Sequence, residues 1–278
     1  MTQHLHPGAT VIISVYNRLD FLRLVLAGFE IQTEKNFEVI ISDDGSGPDF
    51  VKDLKQLISE SPLNIQHNWH EDHGFRKNQI LNSSVMLARS DYLIFVDGDC
   101  IPHPEFVAEH LHLSEQGSCL AGRRVDLSRR ITEKLTPENI RNGILQNPAF
   151  HFHMLSDFVS ARLFHYMNGF YTKSPILRRY FNRKERGLLG ANFSLFKSDL
   201  LAINGFDERY RHPTFGEDSD VEFRLRLNGV RIKPILNIAV QYHCHHKLLP
   251  RRNESKQLYE QVVRERIAFT PFGIRKLS

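Results

Sequence analysis

Cysteine is scarce in this chain: Cys100, Cys119 and Cys244 are the only three among 278 residues. The number is odd and no Cys-x-x-Cys occurs, which argues against a disulfide framework and for a reducing compartment. Apolar runs are short, and none approaches the roughly 20 residues that a membrane-crossing helix needs. The N-terminus lacks the charged-then-apolar pattern of a signal segment. A cytoplasmic protein is therefore expected, able at most to sit at the periphery of a membrane. There is no internal repeat and no low-complexity tract. Neither sign of charge dominates: 36 Lys and Arg against 32 Asp and Glu leave a net +4. That excess suits a polyanionic ligand or an anionic surface without demanding either. No nucleic-acid recognition motif is present, so nucleic acid is not an expected partner.

The first half of the chain alternates two periodicities. Thr10–Val15, Phe37–Ile41, residues 64–67 and Tyr92–Val96 read as strands. Residues 19–31, 51–58 and 77–88 follow with helical spacing. This order predicts an α/β fold with a mainly parallel sheet covered by helices on both faces. Ligands of such sheets bind beyond the carboxyl ends of the strands. Polar residues gather at those ends here: Asn17 and Arg18, then Asp43 and Asp44, then Asp97-Gly98-Asp99. Asp97 and Asp99 share a face of an extended chain, and Gly98 between them lets a ligand approach the backbone. Two carboxylates leaving a buried strand together suit a hard divalent cation that can grip a diphosphate; the bland alternative is a polar turn.

The second half is less regular. Arg123-Arg124 and Arg129-Arg130 flank a short polar stretch. Residues 160–187 mix aromatic side chains with seven bases and the single acid Glu185. That segment reads either as an interfacial element that approaches anionic lipid or as a solvated basic face over packed aromatics. Gly190–Phe196 reads as a strand, and Phe215-Gly216-Glu217-Asp218 opens the next element. Val221, Phe223, Leu225 and Leu227 alternate like a strand, yet Asp218 and Asp220 suit a helix start and Asn228-Gly229 its end; a helix packed on two sides is expected. Then comes His243-Cys244-His245-His246. On a strand His243 and His245 would share a face, and one histidine of this cluster can complete a manganese-type site begun by Asp99. A structural zinc site is the competing metal reading, although no second ligand pair appears at the usual spacing.

Residues 8–250 resemble an inverting nucleotide-sugar glycosyltransferase of family 2. Val11–Arg18 is similar to the family's opening strand and loop, Ser42-Asp43-Asp44-Gly45-Ser46 to its second acidic motif, and His73–Lys77 to a basic loop beside the nucleotide. Asp97-Gly98-Asp99 fits its metal-binding Asp-x-Asp. Gly190–Ser194, Ile203–Asp207 and Gly216-Glu217-Asp218 resemble the acceptor-side block of galactosyl- and N-acetylgalactosaminyltransferases, and Tyr242-His243 stands where chondroitin-type polymerases carry a metal ligand. The resemblance implies a GT-A fold: one domain over 1–250, with a nucleotide-binding half at about 8–122 and an acceptor-binding half at about 123–250. A basic helical extension over 251–278 is expected to follow.

The resemblance also implies roles. Ser14, Tyr16, Asn17, Arg18, Asp43, Asp44, Arg76, Lys77, Asp97 and Gly98 would contact the nucleotide. Asp99 and His243 would hold Mn2+ or Mg2+. Asp218 would be the general base, and Gly190, Asn192, Glu217 and His245 would face sugar and acceptor. Many relatives carry Arg-Asn where this chain has Leu81-Asn82, so Arg76 or Lys77 is expected to substitute. The implied activity moves a sugar, with UDP-galactose or UDP-N-acetylgalactosamine as first choice, to a glycan or lipid-linked acceptor in surface polysaccharide synthesis. The competing readings are a sugar-1-phosphate nucleotidyltransferase and a non-catalytic sugar-binding module. Ser14–Arg18 stands where a nucleotidyltransferase carries its Gly-rich loop, which argues against that reading.

Overall fold

The computed structural model describes residues 6–160, 165–213, 216–247 and 253–276. Residues 161–164 of the aromatic and basic segment, and Phe215, lie outside these. Among the described residues ten strands form two sheets. They are β1 (Ala9–Val15), β2 (Phe37–Asp43), β3 (Ile65–Trp69), β4 (Tyr92–Asp97), β5 (Cys100–Pro102), β6 (Ser118–Ala121), β7 (Arg123–Asp126), β8 (Asn192–Phe196), β9 (Arg231–Pro234) and β10 (Val240–His243). The large sheet runs β3-β2-β1-β4-β8-β6-β9, and the small one β5-β10-β7. Strands β1 to β4 are parallel, as their alternation with helices requires. Strand β8 enters antiparallel between β4 and β6, so the sheet is mixed. In the small sheet β10 lies antiparallel to β5 and parallel to β7.

The inner strands β1, β2, β4 and β8 of the large sheet are largely buried on both sides because both faces are covered. Val11, Ile13, Val39, Ile41, Ile94 and Val96 point into one core with Leu22, Val25 and Phe29 of α1 (Leu19–Glu30). Ile12, Ile40, Leu93, Phe95, Phe193 and Leu195 point into the other. That second core is closed by Leu81 and Val85 of α3 (Lys77–Leu87) and by Val221 and Leu225 of the helix Glu217–Leu227. Between α1 and α3 lies α2 (Pro48–Glu60), opened by Pro48, whose missing N–H costs nothing in a first turn. The alternation of residues 221–227 belongs to a helix packed on two sides, as expected. Val221 and Leu225 meet the sheet, and Phe223 meets Tyr259 of the helix Asn253–Glu265. Its pattern resembled a strand because the core-facing Asp220 and Arg224 are polar. Arg224 is fully buried, donates to Asp220 and to the carbonyls of Ile203 and Gly205, and is satisfied there.

The chain passes from the large sheet to the small one at Gly122, between β6 and β7, and β8 from the second half returns to the large sheet between β4 and β6. Among the described residues after 250, Asn253–Glu265 is helical. Beyond it, Thr270, Ile274 and Arg275 are tied back to Ile203 and Asn204 by backbone and amide hydrogen bonds. No helix among the described residues is long and apolar enough to cross a membrane.

Candidate active site

The carboxyl ends of β1, β2 and β4 open into a cavity of about 430 Å³ lined by Ser14, Tyr16, Arg18, Asp44, Asp72, Phe75, Lys77 and Asp97–Asp99. A second cavity, about 370 Å³, adjoins it and shares Lys77, Asp97 and Asp99. Its further walls are Arg124, Leu188–Ala191, Gly216–Ser219, His243 and His246. Two compartments therefore meet at Asp97-Gly98-Asp99. Gly98 is required there: its N–H donates to the Ser14 carbonyl at 2.8 Å, and a Cβ would lie 2.6 Å from Val15 Cγ1.

In the first compartment the loops after β1 and β2 are tied together. Asn17 adopts a left-handed φ of 51°, its N–H donates to Ser46 Oγ (2.8 Å), and its side-chain oxygen accepts from Gly47 N (2.9 Å). The Tyr16 hydroxyl donates to Asp72 at 3.0 Å, and the ring stays half exposed at the cavity wall. Asp44 accepts the Arg76 N–H (2.9 Å) and meets His70 Nε2 (2.9 Å); burial raises its pKa against these bonds. Asp43 does not face the cavity. It is fully buried, accepts from Ser46 N and contacts His67 Nε2 at 2.9 Å. Period-two alternation explains the split, since neighbours at a strand end point opposite ways. The Arg76 guanidinium likewise turns away, to the Glu71 carbonyl and Gln79. Lys77 is the base that lines both cavities. Asn82 is spent on Phe206, bonding its N–H and its carbonyl.

At the junction, Asp97 Oδ1 accepts from Ser14 Oγ and Lys77 Nζ, both at 2.9 Å, and Arg124 stands 3.7 Å from Oδ2. Burial opposes charge on Asp97, but Lys77 and Arg124 outweigh it and lower its pKa. Lys77 is held cationic against its own burial by Asp97, Glu217 and Asp218.

Asp99 meets two imidazoles. His246 Nε2 is 3.0 Å and His243 Nε2 3.5 Å from Asp99 Oδ2, and the two Nε2 atoms are 3.1 Å apart. Each opposite nitrogen faces an oxygen: His243 Nδ1 lies 2.9 Å from Asp126 Oδ1, and His246 Nδ1 lies 3.1 Å from the Lys247 carbonyl. In the neutral rings the Nδ1 atoms therefore carry the protons, and both Nε2 lone pairs point at each other and at a carboxylate. Three acceptors converging within 4.8 Å fit a cation. One carboxylate and two imidazoles form a borderline donor set of the manganese type. Burial works against charge on Asp99, yet the two histidines hold its pKa well below the usual carboxylate range.

The third histidine lies apart from the other two. His245 is exposed, its N–H donates to Thr132 Oγ1, and it lines neither cavity. Strand β10 ends at His243, so the alternation that would have paired His243 with His245 stops there, and the turn brings His246 back instead. Asn192 also lies away from both cavities. It is fully buried, with its amide donating to the carbonyls of Arg123 and Ala239 and its oxygen 3.2 Å from His110 Nε2.

Across the second compartment, Gly190 N donates to Asp218 Oδ2 at 2.7 Å, and a Cβ on Gly190 would lie 2.3 Å from Asp218 Oδ1. The absence of a side chain at 190 makes room for this carboxylate. Burial raises the Asp218 pKa against the pull of Lys77. Burial and the neighbouring Asp218 push Glu217 up to about 7. Arg124 and Asp126 were not singled out as site residues. Their spacing of two on strand β7 is the signal that places both on one face.

The family model for glycosyl transferase family 2 matches residues 10–185, and one described as the N-terminal domain of galactosyltransferase matches residues 178–247. The chain is 27% identical to an Escherichia coli chondroitin synthase over 255 residues, 85% of this chain and 34% of the synthase. It is 26% identical to a Pasteurella multocida hyaluronan synthase, over 99% of this chain and 28% of that one. The chain thus spans about a third of the length of these relatives. Among solved structures it is similar to S. aureus TarS 1–349 (TM-score 0.57, 16% identity, 93% of this chain and 64% of that one). It is also similar to a mannosyltransferase from Pyrobaculum calidifontis in complex with GDP-Man and Mn2+ (TM-score 0.55, 15% identity, 88% and 59%).

Proposed function

The chain belongs to glycosyl transferase family 2 and has the GT-A fold of its solved relatives, and from that premise we propose that it transfers a sugar from a nucleoside-diphosphate donor, with inversion, to an acceptor hydroxyl of a glycan or lipid-linked glycan. The observation that carries the reading is the convergence of Asp99, His243 and His246 at the junction of two cavities, with Asp218 across the second. In this reading the nucleotide occupies the cavity of Tyr16, Asp44 and Lys77, and the acceptor enters between Gly190 and Glu217. A UDP donor carrying galactose or N-acetylgalactosamine is the first choice, supported by the galactosyltransferase model over residues 178–247.

Asp99, His243 and His246 would hold a divalent cation, Mn2+ or Mg2+, which when bound neutralises diphosphate charge and so improves the leaving group. Lys77 and Arg124 add fixed positive charge where the leaving group gains negative charge. Asp97 orients Lys77 and Ser14 toward the donor. Asp218, held by the Gly190 N–H, takes the acceptor proton as the hydroxyl attacks the anomeric carbon. The hydroxyl becomes acidic as its new bond forms, so position matters more than resting pKa. Glu217, with its pKa near 7, is suited to hydrogen-bond an acceptor hydroxyl.

The test is a donor-hydrolysis screen over nucleotide sugars with manganese, magnesium or chelator. UDP release from one donor, lost on chelation, is the expected result. Binding without turnover of any donor would make the chain a sugar-nucleotide binding module instead. Glucose and N-acetylglucosamine donors in the same screen decide the sugar.

Asp126 is a positioning residue in this scheme. Its contact with His243 Nδ1 fixes the tautomer that turns Nε2 toward Asp99. Asp126→Ala is expected to weaken Mn2+ affinity roughly 10- to 100-fold, measured by titration calorimetry in the absence of donor. An unchanged affinity would remove Asp126 from this role.

A further inference from the structure

Half of the large apolar side chains that are exposed among the described residues fall between positions 152 and 180. They lie on three short elements. The helix Pro148–Val159 exposes Phe152 (68%), Leu155, Phe158 and Val159 (77%). Residues 152, 155 and 159 follow the i, i+3, i+7 spacing of one stripe. The turn Tyr166–Gly169 exposes Met167. The helix Pro175–Phe181 has no buried residue at all, and Ile176 is 80% exposed beside Leu177 and Tyr180. Scattered apolar residues need no explanation; a run of this density does.

The aromatics of this segment divide. Tyr166 packs on Phe158 and Phe170, and Tyr171 stacks on His103, which is the packed arrangement. Tyr180 and the aliphatic residues face outward. Arg178 and Lys173 are spent on Glu109 and Glu105. Arg179, Arg183, Lys184 and Arg186 are exposed and form no ion pair among the described residues, and Arg183 lies over the Tyr180 ring at 4.2 Å. Outward apolar side chains interleaved with free cations form the composition of an element that lies in a membrane interface.

We propose that this face seats on an anionic lipid bilayer. An apolar protein face would leave four uncompensated cations at the rim, whereas acidic headgroups neutralise them while the apolar side chains enter the acyl boundary. The face also lies next to the site. His165, at the start of the turn, contacts Asp126 Oδ2 at 3.0 Å, and Asp126 holds His243. Asn168 donates to the Arg124 carbonyl and Tyr242 to the Gly169 carbonyl. Resting on the proposed transferase reading, the bilayer would deliver a lipid-linked acceptor beside the second cavity.

Vesicle co-sedimentation tests this with the whole chain and needs no turnover, so its failure is separable from that of the transferase reading. Partitioning is expected to be roughly tenfold or more stronger on phosphatidylcholine vesicles doped with phosphatidylglycerol than on phosphatidylcholine alone, and to fall with added salt. Phe152→Glu with Ile176→Glu should abolish it, and Arg179→Glu with Lys184→Glu should remove the preference for the anionic vesicles. Unchanged melting temperatures control for folding. Absence of binding to either vesicle, or binding indifferent to both double variants, would overturn the proposal. So would a dimer by light scattering that Ile176→Glu disperses, since the face then belongs to a second copy of the chain.

Discussion

Asp218→Asn is expected to lower sugar transfer roughly 1,000-fold, within the range spanned by general bases, while leaving donor affinity unchanged. The substitution is close to isosteric. An amide oxygen can still accept the Gly190 N–H that holds Asp218 Oδ2 at 2.7 Å, so position is retained and only proton acceptance is lost. Initial rates with a saturating acceptor, set beside calorimetric titration of the donor, measure the two quantities separately. Equal turnover in the variant would exclude Asp218 as the base. A parallel loss of donor affinity would mean that the carboxylate serves binding instead.

The second large effect concerns Asp99. Asp99→Ala removes the only carboxylate of the converging triad and leaves two Nε2 atoms 3.1 Å apart facing an empty corner. Affinity for Mn2+ is expected to fall further than the roughly 10- to 100-fold forecast for Asp126. Donor binding should fall with it, because the diphosphate loses its counter-charge. Calorimetry with metal alone, then with metal and donor, gives both numbers. Donor affinity that survives while metal affinity disappears would show that Lys77 and Arg124 carry the diphosphate without a cation.

The ranking of these effects follows from how the site is assembled. Asp99 and His243 stand at the mouths of different strands, β4 and β10, and only the pairing of β5 with β10 brings them together. The strand ends themselves were legible: the apolar runs feeding Asn17, Asp44 and Asp97 are strong period-two or fully buried patterns. The helix beginning at Glu217 was legible from its acidic first turn, although its alternating apolar residues imitated a strand. What local pattern could not supply was orientation where regular structure stops. A strand continued past His243 would put His245 on its face; the strand ends at His243 and His246 takes the place. Asp43 and Asn192 have the right chemistry at the right segment, but each is turned into the interior to satisfy buried donors and acceptors. Arg124 and Asp126 went unassigned because their meaning depends on β7 lying beside β10, a pairing of residues more than a hundred positions apart.

The placement of β8 reaches beyond this one site. With β8 bonded to β4 on one side and β6 on the other, the first and second halves of the chain share a single continuous hydrogen-bonded ladder. Excising either portion would leave raw strand edges that invite aggregation. Modular exchange of halves is therefore a poor route to new specificities on this scaffold. Diversification has to proceed through the loops that follow β1, β2 and β4 and through the turns around Gly190 and Gly216, with the ladder beneath them left intact.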